Sequence, residues 1–301
     1  MKKRIMSYFS IFFIMLSLFS YQSLNFVFGK TIQYPKEKGA FLYWSSAYNS
    51  GNRTLIETST VDMLISKGIN TIYLSGFSAS TWDYPEKFTY FKNFIAYAKS
   101  QNVVVYGMIF EDPSFVVKTD EFIQTRMQDI LLKTGNLGIS GYVTDVEVHT
   151  ISSLYPQYPS FYLDEATTKY YLDNYMRIHQ VMYDTIQSAN KKLGFAFCCP
   201  YWYQSRLITA GYSNGLDSVP SNFVNTMIYT TTASSMLSRL NTIIDIEKPI
   251  VVSINIKNSG DPYFSPSEFE LAKVILHNLY GEKEILGYSI YETKTLLELV
   301  Y

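Results

Sequence analysis

The 301-residue sequence predicts an α/β fold, a single (β/α)8 (TIM) barrel behind an N-terminal export segment. Three observations carry that expectation. Short runs rich in β-branched and aromatic residues alternate with longer stretches of helical period, the pattern of a parallel sheet wound with helices. The alternation repeats eight times, and the ~270 residues after the N-terminal segment are the usual length of one such barrel. No GxGxxG or GxxxxGK[ST] loop follows the first strand, as an open nucleotide-binding sheet would usually carry.

The chain begins with the basic run Met1-Lys2-Lys3-Arg4 and continues without charge from Ile5 to Phe28, the n-region and h-region of an export signal. Val27-Phe28-Gly29 places cleavage after Gly29, which assigns residues 1–29 to the signal and 30–301 to the barrel. The alternative is that residues 5–28 remain as a membrane anchor, since about 20 apolar residues span a bilayer. Both readings put the remainder outside the cytoplasm, secreted or extracellular.

Strands are expected at Gly39–Trp44, Asn70–Ser75, Asn102–Phe110, Gly141–Val148, Leu193–Cys199, Phe223–Tyr229, Pro249–Asn255 and Ile285–Tyr291. Helices are expected after them at Leu55–Ser66, Glu86–Ser100, Glu121–Leu132, Ala166–Ser188, Ser205–Ala210, Ser234–Ile246, Ser267–Leu279 and Thr295–Val300, the fifth being short. Ser66-Lys67-Gly68 ends a helix with glycine past its last turn, and Ser265-Pro266-Ser267-Glu268 opens one with proline and an acid. No Gly/Ser linker or repeat interrupts the series, so one domain is expected.

The formal net charge is -1 with both signs well mixed, which leaves no basic face for nucleic acid. The 27 Tyr, 20 Phe and 3 Trp suit a glycan partner, because aromatic faces stack on sugar rings while tyrosine hydroxyls bond sugar hydroxyls; a merely aromatic core is the other reading. The two cysteines, Cys198 and Cys199, are adjacent. Neighbours on a strand face opposite ways, so two buried thiols are expected rather than a strained disulfide, and no zinc site follows from them.

A barrel carries its chemistry at the C-terminal ends of its strands. In the fourth strand Val143, Asp145 and Glu147 share one face, while Tyr142, Thr144, Val146 and Val148 share the helix-facing one. Asp145 and Glu147 therefore point into the lumen, about 6.6 Å apart along the strand. Two carboxyls in a partly dry site cannot both ionise freely, so one is raised in pKa and able to act as an acid, as glycoside hydrolysis requires. The competing reading pairs these acids with Lys or Arg inside the barrel, or uses them to cap a loop.

Ser140-Gly141-Tyr142-Val143-Thr144-Asp145-Val146-Glu147 resembles the fourth-strand DGxDxDxE of the glycoside hydrolase 18 family, the chitinases and endo-N-acetylglucosaminidases. Glycine, the last aspartate and the glutamate are kept; two aspartates are replaced by Ser140 and Val143. Met227-Ile228-Tyr229 is similar to the family's sixth-strand Met-x-Tyr, with Thr230 where an aspartate usually follows, and Gly287-Tyr288-Ser289-Ile290-Tyr291-Glu292 to its eighth-strand Gly-x-x-x-Trp-Glu, with tyrosine for tryptophan. The resemblance implies that Glu147 protonates the leaving oxygen. Asp145 would orient the substrate's N-acetyl group, whose carbonyl is the nucleophile, and Tyr229 would donate a hydrogen bond to it. It implies no cofactor and no metal. The acid missing at Val143 is the one that supports Asp145 in the family through a shared proton.

Glu111 and Asp112 after the third strand and Glu292 after the eighth are further acids near strand ends. Paired with Glu147 they would make an ordinary retaining or inverting glycosidase without N-acetyl assistance; otherwise they are solvated loop acids. Trp44, Trp82, Trp202, Tyr201 and Tyr203 fall at or beyond strand ends and suit sugar platforms, or pack the rim. His149 continues the Asp145, Glu147 alternation as a possible divalent-metal ligand, while His179 and His277 fall in helices facing away from the lumen. No nucleophile elbow for acyl transfer is legible. Two functions thus stand: a glycoside hydrolase, favoured by Glu147, and a non-catalytic glycan-binding barrel, favoured by the acids missing at Ser140 and Val143.

Overall fold

A computed structural model describes residues 37–51, 56–257, 261–279, 285–291 and 293–298. The export segment therefore lies outside the described residues. Eight parallel strands close into a barrel in sequence order: β1 Glu37–Leu42, β2 Thr71–Leu74, β3 Val104–Ile109, β4 Gly141–Thr144, β5 Gly194–Pro200, β6 Phe223–Met227, β7 Ile250–Asn255 and β8 Ile285–Tyr291. The principal helices between and after them are α1 Thr58–Ser66, α2 Pro85–Ser100, α3 Asp120–Thr134, α4 Glu165–Ala189, α5 Tyr203–Thr209, α6 Ala233–Leu240, α7 Pro266–Leu279 and α8 Thr293–Glu298. The predicted (β/α)8 order is the observed one.

Period-two alternation divides the strand side chains into two cores. One set faces the helices and includes Leu42, Ile72, Tyr142, Phe197, Val224 and Ile254. The other fills the lumen with Phe41, Tyr73, Met108, Val143, Ala196, Cys198, Phe223 and Val251. Aromatic rings fill much of the lumen: Phe41 stacks on Tyr73 at 4.9 Å, Tyr73 on Tyr106 at 5.7 Å, and Tyr106 meets Phe223 edge-on at 5.4 Å. The Tyr73 hydroxyl donates to the Glu37 carboxyl. Ser289 Oγ donates to Asn225 Oδ1 at 3.0 Å and lies 2.7 Å from Ser253 Oγ. Cys198 and Cys199 are free, buried thiols on opposite faces of β5.

Two strand ends and one short helix differ from expectation in ways that bear on the site. β1 ends at Leu42, and Trp44 opens a short helix, Trp44–Asn49. Trp44 is fully buried, with Tyr48 stacked at 5.1 Å and Phe91 edge-on at 4.8 Å, so its ring belongs to the core and is no sugar platform. Trp82, in a four-residue helix, is likewise buried. β4 stops at Thr144, so Asp145 and Glu147 stand in the loop beyond it. The alternation nevertheless outlasts the ladder, because Val146 and Val148 remain buried in the helix-facing core.

Polar hooks on the outer face hold β4. Thr134 Oγ1 in α3 donates to the Ile130 carbonyl at 2.6 Å, so it accepts from the Tyr142 hydroxyl at 2.8 Å. On α4, His179 Nδ1 lies 2.7 Å from the Tyr175 carbonyl, which can only accept. Nδ1 therefore carries the proton, and Nε2 accepts from Thr144 Oγ1 at 2.8 Å. Burial lowers the His179 pKa to about 4, keeping the ring neutral.

β4 and β5 approach closely at their start, where Gly141 pairs with Gly194. A Cβ on Gly141 would run into the Gly194 backbone. Gly141→Ala is expected to cost about 3 kcal/mol or more, read as a lower denaturation midpoint; a loss under about 0.5 kcal/mol would contradict this packing.

Candidate functional site

The strands' C-terminal ends bring acids and phenols from several elements together. Asp145 and Glu147 rise from the end of β4, Glu111 follows β3, Tyr43 follows β1, Tyr229 follows β6 and Tyr291 closes β8. The Tyr291 ring lies 5.8 Å from Tyr43 and 6.0 Å from Tyr229. Arg239 of α6 donates to the Tyr229 carbonyl at 2.6 Å, fixing the chain that presents that tyrosine. Met227, the last residue of β6, is buried below Tyr229.

Burial dominates the electrostatics. It pushes the Glu147 carboxyl up to about 8, with the charges of Asp145 and Asp261 adding to the rise. It pushes Asp145 up to about 7, with Glu111 adding, and Glu111 up to about 7. Glu111 is exposed to solvent whereas Asp145 and Glu147 are half-buried, so solvent screens the Glu111 charge more than theirs. Tyr43 and Tyr229 are held well above the usual phenol range, first by burial and then by Asp145, so both stay protonated hydrogen-bond donors.

Neither structural use of the two β4 acids is realised. Among the described residues no Lys or Arg pairs with Asp145, Glu147 or Glu111, and the Glu147 side chain makes no cap at the turn it begins. Asp145 Oδ1 is buried without a hydrogen-bond partner. Carboxyls buried without cations lower stability unless protonated or engaged by a ligand. The arrangement provides a protonated acid, a neighbouring carboxyl short of a donor, and phenol hydroxyls beside them.

Three other expected candidates, Asp112, Tyr203 and His149, are engaged by neighbouring side chains or backbone. Asp112 opens the 3-10 turn Pro113–Val117, accepting from Ser114 N at 2.7 Å and from the Tyr155 hydroxyl at 2.5 Å. Burial opposes its ionisation, but those hydrogen bonds outweigh it and lower the pKa. Tyr203 is fully buried in α5, and its hydroxyl lies 3.0 Å from His149 Nδ1. His149 thus turns toward α5, with its pKa lowered to about 4 by burial, and no metal-binding cluster occurs among the described residues. Trp202 is half-buried, 5.1 Å from His149 and 6.2 Å from Phe161; Tyr201 is half-buried under Arg239. Glu292 lies outside the described residues. Tyr43 escaped the sequence reading, although Phe41, two residues earlier, marks its register as inward.

No family model and no curated protein sequence matches the chain. Solved structures do. A GH18 chitinase from Pseudoalteromonas aurantia superposes with a TM-score of 0.56 at 10% identity, over 87% of this chain and 99% of that one. The virulence factor SghA from Agrobacterium tumefaciens gives 0.57 at 9% identity over 81% and 77%, and a beta-glucosidase from Thermotoga maritima 0.52 at 9% over 80% and 77%. The chain shares the barrel fold of glycoside hydrolases. At these identities the likeness concerns the fold alone.

The raised acids have a stability consequence. Unfolded, Glu147 ionises near 4.5; folded, it resists ionisation up to about 8. The unfolded state is thus favoured progressively as pH rises through that window, and the cost is complete above it. Glu147→Gln is expected to raise Tm at pH 8.5 by several degrees, about 2–4 °C per kcal/mol relieved, and to leave it unchanged near pH 4. Equal gains at both values in thermal melts would contradict the assignment.

Proposed function

We propose that the protein is a glycoside hydrolase acting outside the cell on an N-acetylated glycan, with Glu147 as proton donor and the substrate's own acetamido carbonyl as nucleophile. The observation that carries this reading is the uncompensated pair of raised carboxyls, Asp145 and Glu147, beside Tyr229. A buried acid that stays protonated at neutral pH suits leaving-group protonation. The neighbouring Asp145 oxygen without a donor suits the acetamido N–H. The fold of the chitinase neighbour and the fourth-strand resemblance point the same way, and the charge-free run from Ile5 to Phe28 supports export.

In this mechanism Glu147 gives its proton to the glycosidic oxygen as the anomeric bond breaks. The acetamido oxygen, held ~3 Å from the anomeric carbon as a near-attack conformer, closes on that carbon from the opposite face. Asp145 accepts a hydrogen bond from the acetamido N–H, and the Tyr229 hydroxyl donates to the acetamido oxygen and aligns it. Glu147, now ionised, draws a proton from the water that opens the ring, so configuration is retained.

Glu147→Gln is expected to reduce turnover of chito-oligosaccharides by at least about 1,000-fold while calorimetric affinity stays within about threefold, because the acid is needed only in the transition state. Undiminished turnover would remove Glu147 from the role. Activity of the wild type should fall as pH rises through about 8, where the donor loses its proton.

A matched substrate with hydroxyl in place of the acetamido group is expected to be inert, and a thiazoline mimic of the cyclised intermediate to inhibit strongly. Equal turnover of the two substrates would move the nucleophile from the sugar to a protein carboxylate. Glycan binding with no products from any acetylated oligosaccharide would instead favour the non-catalytic barrel.

A further inference from the structure

A cavity of about 340 Å³ lies between the loops that follow β2 and β3 and the barrel-facing side of α3, a volume within the ~300–1,000 Å³ usual for small-molecule sites. Ser75 lines it just past the end of β2, Phe110 and Phe115 line it after β3, and Arg126 lines it from α3. Tyr43 lines it as well, and the Tyr43 ring meets Tyr291 at 5.8 Å. The cavity therefore adjoins the phenols of the candidate site.

Two polar groups in it have no partner in the protein. α3 buries Ile123, Met127 and Ile130 in the core, and Arg126, at i+3 from Ile123 and i−4 from Ile130, lies on the same side of the helix. Arg126 is half-buried, yet its guanidinium forms no hydrogen bond or ion pair with a described residue. Ser75 is 4% exposed. Its backbone N–H donates to the Leu42 carbonyl, but its hydroxyl forms no hydrogen bond with a described residue. Polar groups removed from water lower stability unless something completes them.

The acids of the cavity leave the guanidinium unclaimed. Asp112 accepts from Ser114 N through Oδ1 and from the Tyr155 hydroxyl through Oδ2, and Lys118 lies near enough to favour its ionised form. Glu111 is exposed on the rim, where water screens its charge. A planar guanidinium is shaped to hold a carboxylate through parallel N–H donors. The rings of Phe110 and Phe115, edge-on at 4.6 Å, suit the C–H faces of a sugar. The Ser78 and Ser80 hydroxyls, 2.8 Å apart, line the same cavity and add partners for sugar hydroxyls.

We propose that this cavity seats a carboxylate-bearing sugar, its carboxylate held by Arg126 and one of its hydroxyls by Ser75. A free anion would use Arg126 equally but would leave the aromatic wall and the serine hydroxyls without a role, so the carboxylate is assigned to a sugar. The glycan is then an acidic one, with an N-acetylated unit at Asp145 and Glu147 and an acidic unit beside Tyr43. That both units belong to one chain rests on the function proposed above; the carboxylate site does not.

The test is calorimetric binding at low ionic strength to the full-length protein carrying Glu147→Gln, so that turnover does not interfere. The probes are a tetrasaccharide alternating N-acetylglucosamine with glucuronic acid, the same tetrasaccharide with its carboxyls reduced to alcohols, and inorganic phosphate. The acidic probe is expected to bind at least about tenfold more tightly than the reduced one, and to shift the Arg126 Nε–H resonance of 15N-labelled protein. Arg126→Gln should bring the two affinities within about twofold of each other, and Arg126→Lys, which keeps the charge without the fork, should restore part of the preference. Should Arg126→Gln fail to fold, the Arg126 resonance and Ser75→Ala decide, the latter weakening both sugars by about three- to tenfold.

Equal affinities for the two sugars, a preference that survives Arg126→Gln, or an Arg126 resonance unmoved by the acidic probe overturns the proposal. Phosphate that displaces the acidic probe at comparable concentration assigns the cavity to free anions and overturns it too. Acidic-sugar preference in a protein whose wild type cleaves neither this probe nor chito-oligosaccharides supports the carboxylate site and refutes the hydrolase reading. Cleavage of chito-oligosaccharides without any acidic preference does the reverse.

Discussion

The outer face of β4 is tied to two helices by hydroxyl and imidazole groups, and the position of the two acids at its end depends on those ties. Tyr142 donates to Thr134 of α3, and Thr144 donates to His179 of α4. Each hook sits on a residue next to an inward one, so fixing the outer side chains fixes the rotation of the strand about its axis. A strand of four residues has little ladder of its own to set that rotation. With it set, Val143 goes into the lumen floor, and Asp145 and Glu147 follow upward even though the ladder has ended.

Burial then does the electrostatic work. The aromatic cluster of Phe41, Tyr73, Tyr106 and Phe223 fills the lumen, and Asp145 and Glu147 at the end of β4 have lost hydration without gaining a described cation. Each is displaced toward its neutral form, which is costly for folding and useful for proton transfer. The same balance explains why the phenols around the mouth stay protonated and serve as donors, while His149 and His179 stay neutral through burial and hold scaffold elements together.

Most of the architecture was legible because period-two and helical patterns write themselves into the chain over many residues. Eight strand–helix pairs, the inward face of β4 and the opposed cysteines all follow from that periodicity. Failures cluster where the period breaks. Trp44 falls at a predicted strand end, yet β1 stops at Leu42 and the short helix that Trp44 opens buries its ring. Tyr203 and Trp82 read as rim aromatics, but short helices bury them; side chains alone do not reveal which loop residue a turn will sequester.

The sequence by itself determined the fold class, the strand order and the pairing of Asp145 with Glu147 on one face, because those depend on local alternation and on the handed, sequential winding of β/α units. Only the tertiary structure decided that no described cation neutralises these acids, that Asp112 is consumed by Ser114 and Tyr155, and that Tyr43 and Tyr291 meet at the strands' C-terminal ends. Those outcomes depend on contacts between loops from distant parts of the chain, which local alternation does not encode.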